Sequence, residues 1–259
     1  MYAEERQHAI ADLVTRDRRV SVSEAAEAFG VTTETVRRDL AVLERQGLIH
    51  RVHGGAVPAH SLTMLEPAVA ERDVTAAAQK DRIARAALEL LPRSGGSIIL
   101  DGGTTTGRLA ALLPADRALT VITNAAPIAA IVTAHTAGSS ELELHILGGR
   151  VRPVSQVSVG AATLDALGDL RVDVSFIGVN AFSIEYGLLT PNHDEAAVKS
   201  AMINAGRRVV VLTDSTKFGG ESLVRFGRLE QIDAVVTDEG IDDADVRALE
   251  ALDIDVVVA

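Results

Sequence analysis

The sequence predicts an α/β chain in two parts, a small winged helix-turn-helix unit followed by a larger α/β unit, and three observations predict it. Residues 31–40 have apolar positions at helical spacing and an arginine pair on a free face. A strand-like run and a glycine turn follow that helix closely, forming a small basic hairpin. From residue 76 onward, short apolar runs alternate with helical segments, the signature of a mostly parallel sheet covered on both faces.

Composition narrows the classes. A chain of 259 residues with 47% hydrophobic content has material for a real core and fits one large or two modest domains. The absence of cysteine excludes disulfides, thiolate nucleophiles and thiolate metal sites. No apolar run approaches the roughly 18 residues of a spanning helix. The opening residues, Met1 to Glu5, lack the basic-then-apolar layout of a signal peptide, so a cytoplasmic protein without a membrane partner is expected. The net charge of −11 is unevenly spread: residues 1–60 hold 8 Arg against 9 acids, and the remainder holds 17 basic against 27 acidic residues. DNA binding would therefore rest on a local cluster rather than on a basic domain.

The first helix is expected over residues 4–15, where Ala9, Ile10, Leu13 and Val14 share a side. A short Val20-Ser21-Val22 segment precedes a second helix over 23–29, which Gly30 ends. Thr32 is placed to cap a third helix running to about Gln46, with Val36, Leu40 and Leu43 as its buried stripe. Thr35 and Arg37 flank the stripe, and Glu34, Arg38 and Arg45 point away from it. Arginines near a helix N-terminus can fork onto guanine or clamp phosphates, and threonine can meet a thymine methyl or a phosphate oxygen. Gly47 stops the helix, residues 48–52 have strand composition, and His53-Gly54-Gly55 turns the chain back through Ala56 and Val57. This wing carries His50, Arg51 and His53. Residues 58–75 lose any period and read as a linker between domains at 1–57 and 76–259.

In the second domain a helix over 76–91 precedes apolar runs at 97–100, 119–123, 142–147, 172–177, 209–213, 234–237 and 255–258. Asp101, Asn124, Gly148-Gly149, Gly178-Val179-Asn180, Asp214 and Asp238 directly follow successive runs. They would collect at the carboxyl edge of one sheet, where open α/β sheets bind ligands. Asp101-Gly102-Gly103-Thr104-Thr105-Thr106 suits a phosphate, since glycines allow close approach and hydroxyls and amides face outward; a plain capped turn is the alternative. Asp214-Ser215-Thr216-Lys217-Phe218 supplies a carboxylate, two hydroxyls and a cation after another strand. Only three lysines occur, Lys80, Lys199 and Lys217, against 22 arginines, which suggests a use for the compact ammonium. Lys80 is expected at the surface, and Lys199 could form an ordinary i,i+4 pair with Glu195. His135, His145 and His193 lack metal-ligand spacing and read as structural.

These motifs together resemble the DeoR family of bacterial transcription repressors over nearly the full chain. In the first domain the resemblance rests on Phe29-Gly30-Val31, Thr35-Val36-Arg37-Arg38-Asp39-Leu40, Leu43-Glu44, Gly47 and Arg51-Val52-His53-Gly54-Gly55-Ala56. In the second it rests on Asp101, Gly103-Thr104-Thr105, Thr123-Asn124, Leu147-Gly148-Gly149, Glu195-Ala196, Lys199 and Asp214-Ser215-Thr216-Lys217-Phe218. Within the family the chain looks most like actinobacterial regulators of sugar phosphotransferase uptake and glycolytic genes. Thr32 stands where the family usually has serine, and an extra leucine precedes Thr190, which is not assigned to the ligand.

The resemblance implies a winged helix-turn-helix joined to a sensor domain similar in fold to phosphosugar isomerases and deaminases. It implies a repressor that binds double-stranded operator DNA as a homo-oligomer, dimer or tetramer, and is released by a phosphorylated sugar, with fructose 1-phosphate or a related ester favoured. Thr33, Thr35, Arg37, Arg38, Arg51 and His53 would meet DNA. Thr104 and Thr105, with Gly103 and nearby amides, would take the phosphate, and Lys217 and Ser215 would add to it. Asp101, Asn124, Glu195, Lys199 and Asp214 would meet sugar hydroxyls beside Gly148 and Gly149. No cofactor, metal or catalytic residue is expected. The alternative is a phosphosugar isomerase or deaminase with an accessory DNA-binding domain, its carboxylates serving as acid and base.

Overall fold

In the computed structural model, which describes residues 3–17, 20–52, 54–58, 66–135 and 141–259, the chain divides into two units, residues 1–62 and 63–259. The first contains α1 (Ala3–Asp17), β1 (Val20–Ser21), α2 (Val22–Phe29), α3 (Thr33–Arg45), β2 (Ile49–Val52) and β3 (Gly55–Pro58). Ser21 and Glu24 close a reciprocal capping box at the start of α2, and Gly30 ends that helix in the left-handed conformation at φ 62°. Thr32 caps α3 by accepting from the Thr35 amide at 3.2 Å. The expected stripe of Val36, Leu40 and Leu43 is buried and meets Ile10 and Val14 of α1 and Ile49 of β2 in one core. Each such side chain contributes about 1.5–3 kcal/mol on burial.

The hairpin is a three-stranded sheet, in the order β1-β3-β2, because the short Val20-Ser21 segment pairs antiparallel with Ala56 and Gly55. Gly55 permits this pairing: a Cβ there would stand 2.1 Å from the Val20 carbonyl oxygen.

The second unit opens with α4 (Val69–Val74) and α5 (Ala77–Ala87) and continues through β4 (Gly96–Leu100), α6 (Thr104–Ala111), β5 (Leu119–Thr123), α7 (Ala126–His135) and β6 (Leu142–Ile146). A short ribbon, β7 (Arg150–Val151) with β8 (Ser158–Val159), leads to α8 (Ala161–Gly168) and β9 (Val172–Gly178). Then follow β10 (Ala181–Ser183), β11 (Gly187–Thr190), α9 (His193–Ala205), β12 (Gly206–Leu212), β13 (Val224–Gly227), β14 (Ala234–Thr237), α10 (Asp243–Glu250) and β15 (Asp255–Val258).

The seven apolar runs are the seven strands of one parallel sheet, in the order β15-β14-β12-β9-β4-β5-β6. Its central strands are apolar on both faces because helices cover both; Ile98, Ile99, Val121, Phe176, Ile177, Val210, Val211 and Val235 are fully buried. From β4 the chain builds outward through β5 to β6, then returns to place β9 on the other side of β4. The strand order therefore reverses between β4 and β9, the position at which such sheets open a crevice at their carboxyl ends. A separate antiparallel sheet, β10-β11-β13, is an addition that no apolar run announced.

The linker expected at 58–75 needs correction. Residues 59–65 lie outside the described residues, but 66–75 belong to the second unit and contain α4. Polar contacts hold this stretch in place, and they leave no periodic signal in the sequence.

Candidate functional site

On α3, the polar face is arranged as the helical spacing required. Arg37 and Arg38 have side chains 58% and 80% exposed, and Glu34 lies 3.7 Å from the first and 3.6 Å from the second. Such exposed pairs are worth only about 0–1 kcal/mol, so phosphates can displace them easily. Thr33 is exposed. Thr35 is half-buried, and its hydroxyl is 2.9 Å from that of Thr32, which ties it to the helix cap. On the wing, the Arg51 amide donates to Glu44 at 2.8 Å, and its guanidinium lies 3.9 Å from the same carboxylate. Glu44 thereby fixes β2 against α3. His53 lies outside the described residues.

A further residue orients α3. Asp39 is buried on its inner side and accepts from Arg6 Nε at 2.6 Å and Gln7 Nε2 at 2.9 Å. Its spacing, three residues after Val36 and four before Leu43, puts it on the buried stripe, a signal that the charge of the side chain obscured.

At the carboxyl edge of the sheet, Asp101 directly follows β4 and accepts the Gly178 amide from the end of β9 at 3.0 Å. Lys199 on α9 donates to the same Asp101 oxygen and to the Gly178 carbonyl at 3.0 Å, with its ammonium 5.3 Å from the centre of the Phe226 ring. An ammonium and a carboxylate thus meet at the strand-order reversal. Burial pushes the Asp101 carboxyl above its usual range, while Lys199 and the Gly178 amide pull it down. The i,i+4 pair between Glu195 and Lys199 is not formed. Glu195 instead accepts from Arg152 and from the Ser155 hydroxyl, and Arg152 also donates to Glu66 at 3.0 Å.

Beside Asp101, α6 begins at Thr104 after Gly103, which offers no side-chain cap to the first-turn amides. The adjoining Gly102 allows close packing, since a Cβ would lie 2.1 Å from Val157 Cγ1. Thr105 is buried, and Thr106 turns inward to donate to the Gly103 carbonyl at 3.1 Å. After β5, Asn124 donates to the Ser158 carbonyl at 2.9 Å, and its Oδ1 is buried without a partner. After β12, Asp214 accepts from Thr216, whereas Ser215 is held by Asp238 through its amide at 2.7 Å and its hydroxyl at 2.9 Å.

One expectation changes here. Lys80 is not a surface residue: it is buried, donates to the Arg72 carbonyl at 2.5 Å, and lies in the field of Asp214 and Lys217. Burial pulls its ammonium down to about 8, with Asp214 opposing and Lys217 and Arg108 assisting. Gly148 and Gly149 are exposed, and the second has a packing role. A Cβ on Gly149 would stand 2.2 Å from Thr163 Oγ1 and 2.9 Å from the Val159 carbonyl, and Thr163 donates to the Gly148 carbonyl at 2.7 Å.

Arg152, Ser155 and Glu66 escaped the sequence reading. Arg152 had a usable signal, a cation just beyond a glycine pair at a strand's carboxyl end. The others had none. Among the described residues, no group of three or more His, Cys, Asp or Glu side chains is placed to hold a metal, and no helix is long and apolar enough to cross a membrane.

Comparison with known proteins gives matches across both units. Residues 6–61 match the DeoR-like helix-turn-helix domain, and residues 75–239 match the DeoR C-terminal sensor domain. The chain is 36% identical over 247 residues to the HTH-type transcriptional regulator GlpR of Haloferax volcanii, covering 95% of this chain and 94% of that protein. It is 32% identical over 235 residues to the glycerol-3-phosphate regulon repressor of Escherichia coli, covering 90% of each. Among solved structures, ribose 5-phosphate isomerase A of Methanocaldococcus jannaschii superposes with a TM-score of 0.41 at 17% identity, over 56% of this chain and 55% of that one. With a helix-turn-helix domain and a sensor domain of one family in the same order on one chain, the protein belongs to the DeoR family of transcriptional regulators.

Proposed function

We propose that the protein is a repressor of sugar uptake or metabolism genes that binds operator DNA as a homo-oligomer through α3 and the wing, and senses a phosphorylated sugar at the carboxyl edge of its parallel sheet. The observation that carries the ligand reading is the pairing of the uncapped α6 N-terminus with Asp101 and Lys199 at the strand-order reversal. Uncapped amides and a helix dipole favour an anion, and a carboxylate–ammonium pair beside them suits hydroxyls. The buried, unpartnered Oδ1 of Asn124 supports the same reading, since a ligand hydroxyl would satisfy it. Thr104, Thr105 and Lys217 would take the phosphate, and Asp101, Asn124, Glu195, Lys199 and Asp214 the sugar. Fructose 1-phosphate or a related ester is favoured, and the relative named for the glycerol-3-phosphate regulon is consistent with a small phosphate ester.

The relatives and the geometry do not favour the enzyme alternative. Asp101, Glu195 and Asp214, the carboxylates that would act as acid and base, are engaged by Lys199, Arg152 and Thr216, and the relatives named above are transcriptional regulators.

The test is fluorescence anisotropy on DNA from upstream of the protein's own gene and neighbouring sugar genes, titrated with fructose 1-phosphate, fructose 6-phosphate and fructose. Release by a phosphate ester alone is expected. Binding indifferent to all three would refute the sensor reading, and no binding at low salt would refute the DNA reading.

A further inference from the structure

The α4 helix has no buried residue, and its last residue, Val74, is 71% exposed. Without an apolar face it gains little by packing. Charge and backbone contacts hold it. Glu66, just before it, accepts from Arg152 at 3.0 Å and lies 3.5 Å from Arg72. The Arg72 carbonyl accepts from Lys80 at 2.5 Å, and Asp73 is gripped by Arg108 through its carboxylate at 2.5 Å and its carbonyl at 2.9 Å.

These three cations also reach toward the proposed ligand site, Arg108 while pairing with Asp81 at 2.8 Å. Arg152 holds Glu195, Arg108 reaches the Thr104 carbonyl at 3.2 Å, and Lys80 lies in the field of Asp214 and Lys217. The docking is also incomplete: Glu66 Oε1 and Arg72 Nε are buried without hydrogen-bond partners. The joint between α4 and α5 is Ala76 at φ 51°, a left-handed conformation that alanine adopts at a cost.

We propose that residues 66–74 form an ionic strap on the ligand site, and that an anionic sugar ester competes with the strap for Lys80 at one end and for the Arg152–Glu195 pair at the other. The inference rests on the reading of the carboxyl edge as a phosphorylated-sugar site. Lys80 now donates to a neutral carbonyl, and a phosphate replaces it with a charged acceptor. A sugar hydroxyl on Glu195 draws that carboxylate from Arg152, which loosens the hold of Arg152 on Glu66. Occupancy thereby frees the stretch of the sensor nearest in sequence to the DNA-binding unit. By linkage, the docked strap lowers ligand affinity and a weakened strap raises it.

Because the chain has no cysteine, Val74→Cys carries a single fluorophore at an exposed site on the full-length protein. Fructose 1-phosphate, fructose 6-phosphate, glucose 6-phosphate and glycerol 3-phosphate are titrated by calorimetry and by label anisotropy. An ester that binds is expected to lower the anisotropy along the calorimetric isotherm. Glu66→Gln, which weakens the strap and removes no proposed ligand contact, is expected to bind that ester about three- to ten-fold more tightly. Asp73→Asn serves the same comparison should Glu66→Gln not fold. Binding that leaves the label unmoved, or is no tighter in the strap variant, overturns the strap and leaves the ligand site standing. Failure of every ester to bind overturns both.

Discussion

Asp39 of α3 accepts from Arg6 Nε of α1 at 2.6 Å, with both side chains largely closed to solvent. The helix that carries the Arg37–Arg38 pair outward is therefore bolted from its inner side. Asp39→Ala is expected to cost about 1–3 kcal/mol, because it leaves the partly buried Arg6 and Gln7 without their acceptor. Urea unfolding of the first unit checks this, and an unchanged midpoint would show that the clamp does not hold the helix.

Arg38 is expected to act on DNA alone. Its side chain is 80% exposed and its contact is the loose pair with Glu34. Arg38→Ala should weaken operator binding by about 1–3 kcal/mol at fixed salt while leaving the melting temperature unchanged. Equal affinity at matched salt would remove it from the interface.

Gly148 and Gly149 separate packing from ligand contact. Nothing lies within 4 Å of a Cβ at Gly148, whereas one at Gly149 strikes Thr163 and the Val159 carbonyl. Gly149→Ala should destabilise the second unit by roughly 1–3 kcal/mol, as overpacking does, and Gly148→Ala should be near neutral. Thermal unfolding of the two variants checks this; equal melting temperatures would contradict the packing role.

Lys80 sets opposite pH trends for stability and ligand affinity. Its folded-state value of about 8 lies below the ordinary 10.5, so between these values the unfolded chain holds more protons and stability from this group rises with pH. The same deprotonation removes the ammonium that a phosphate would meet. Ester affinity should fall by up to about ten-fold from about pH 7 to about pH 9, and Lys80→Met should flatten that fall. Calorimetry at the two pH values decides it: an equal fall in the variant would assign the effect to another group.

Much of the fold was legible because buried parallel strands announce themselves. The run at 119–123 coincides with β5, and the run at 234–237 with β14. The β10-β11-β13 sheet was not legible: its short strands are interrupted by Ser183, Gly187, Arg225 and Gly227, so no continuous apolar run marks them. Asp101 and Asp214 were legible as residues following strands, whereas Lys199 read as a partner of Glu195 and in the structure meets Asp101 instead. Lys80 was misplaced at the surface because the segment that receives its ammonium, through the Arg72 carbonyl, carries no periodic signal and is not visible in its own helix. Glu66 lay in a stretch without period, and only the position of Arg152 reveals what it does.

The sheet order also has a consequence in time. Strand β9 joins β4 at its centre, and 76 residues separate Ser97 from its partner Asp173. The contacts of the first unit, from Arg6 with Asp39 to Val20 with Ala56, are complete by Pro58. Synthesis proceeds from the N-terminus, so the DNA reader can fold on the ribosome while β9 and β12 are still unmade. The gap to the end of β12 is roughly 150 residues, about 8–30 s at ~5–20 residues per second. During that interval the helix-turn-helix unit is whole, while the sheet edge proposed to hold a ligand is still incomplete.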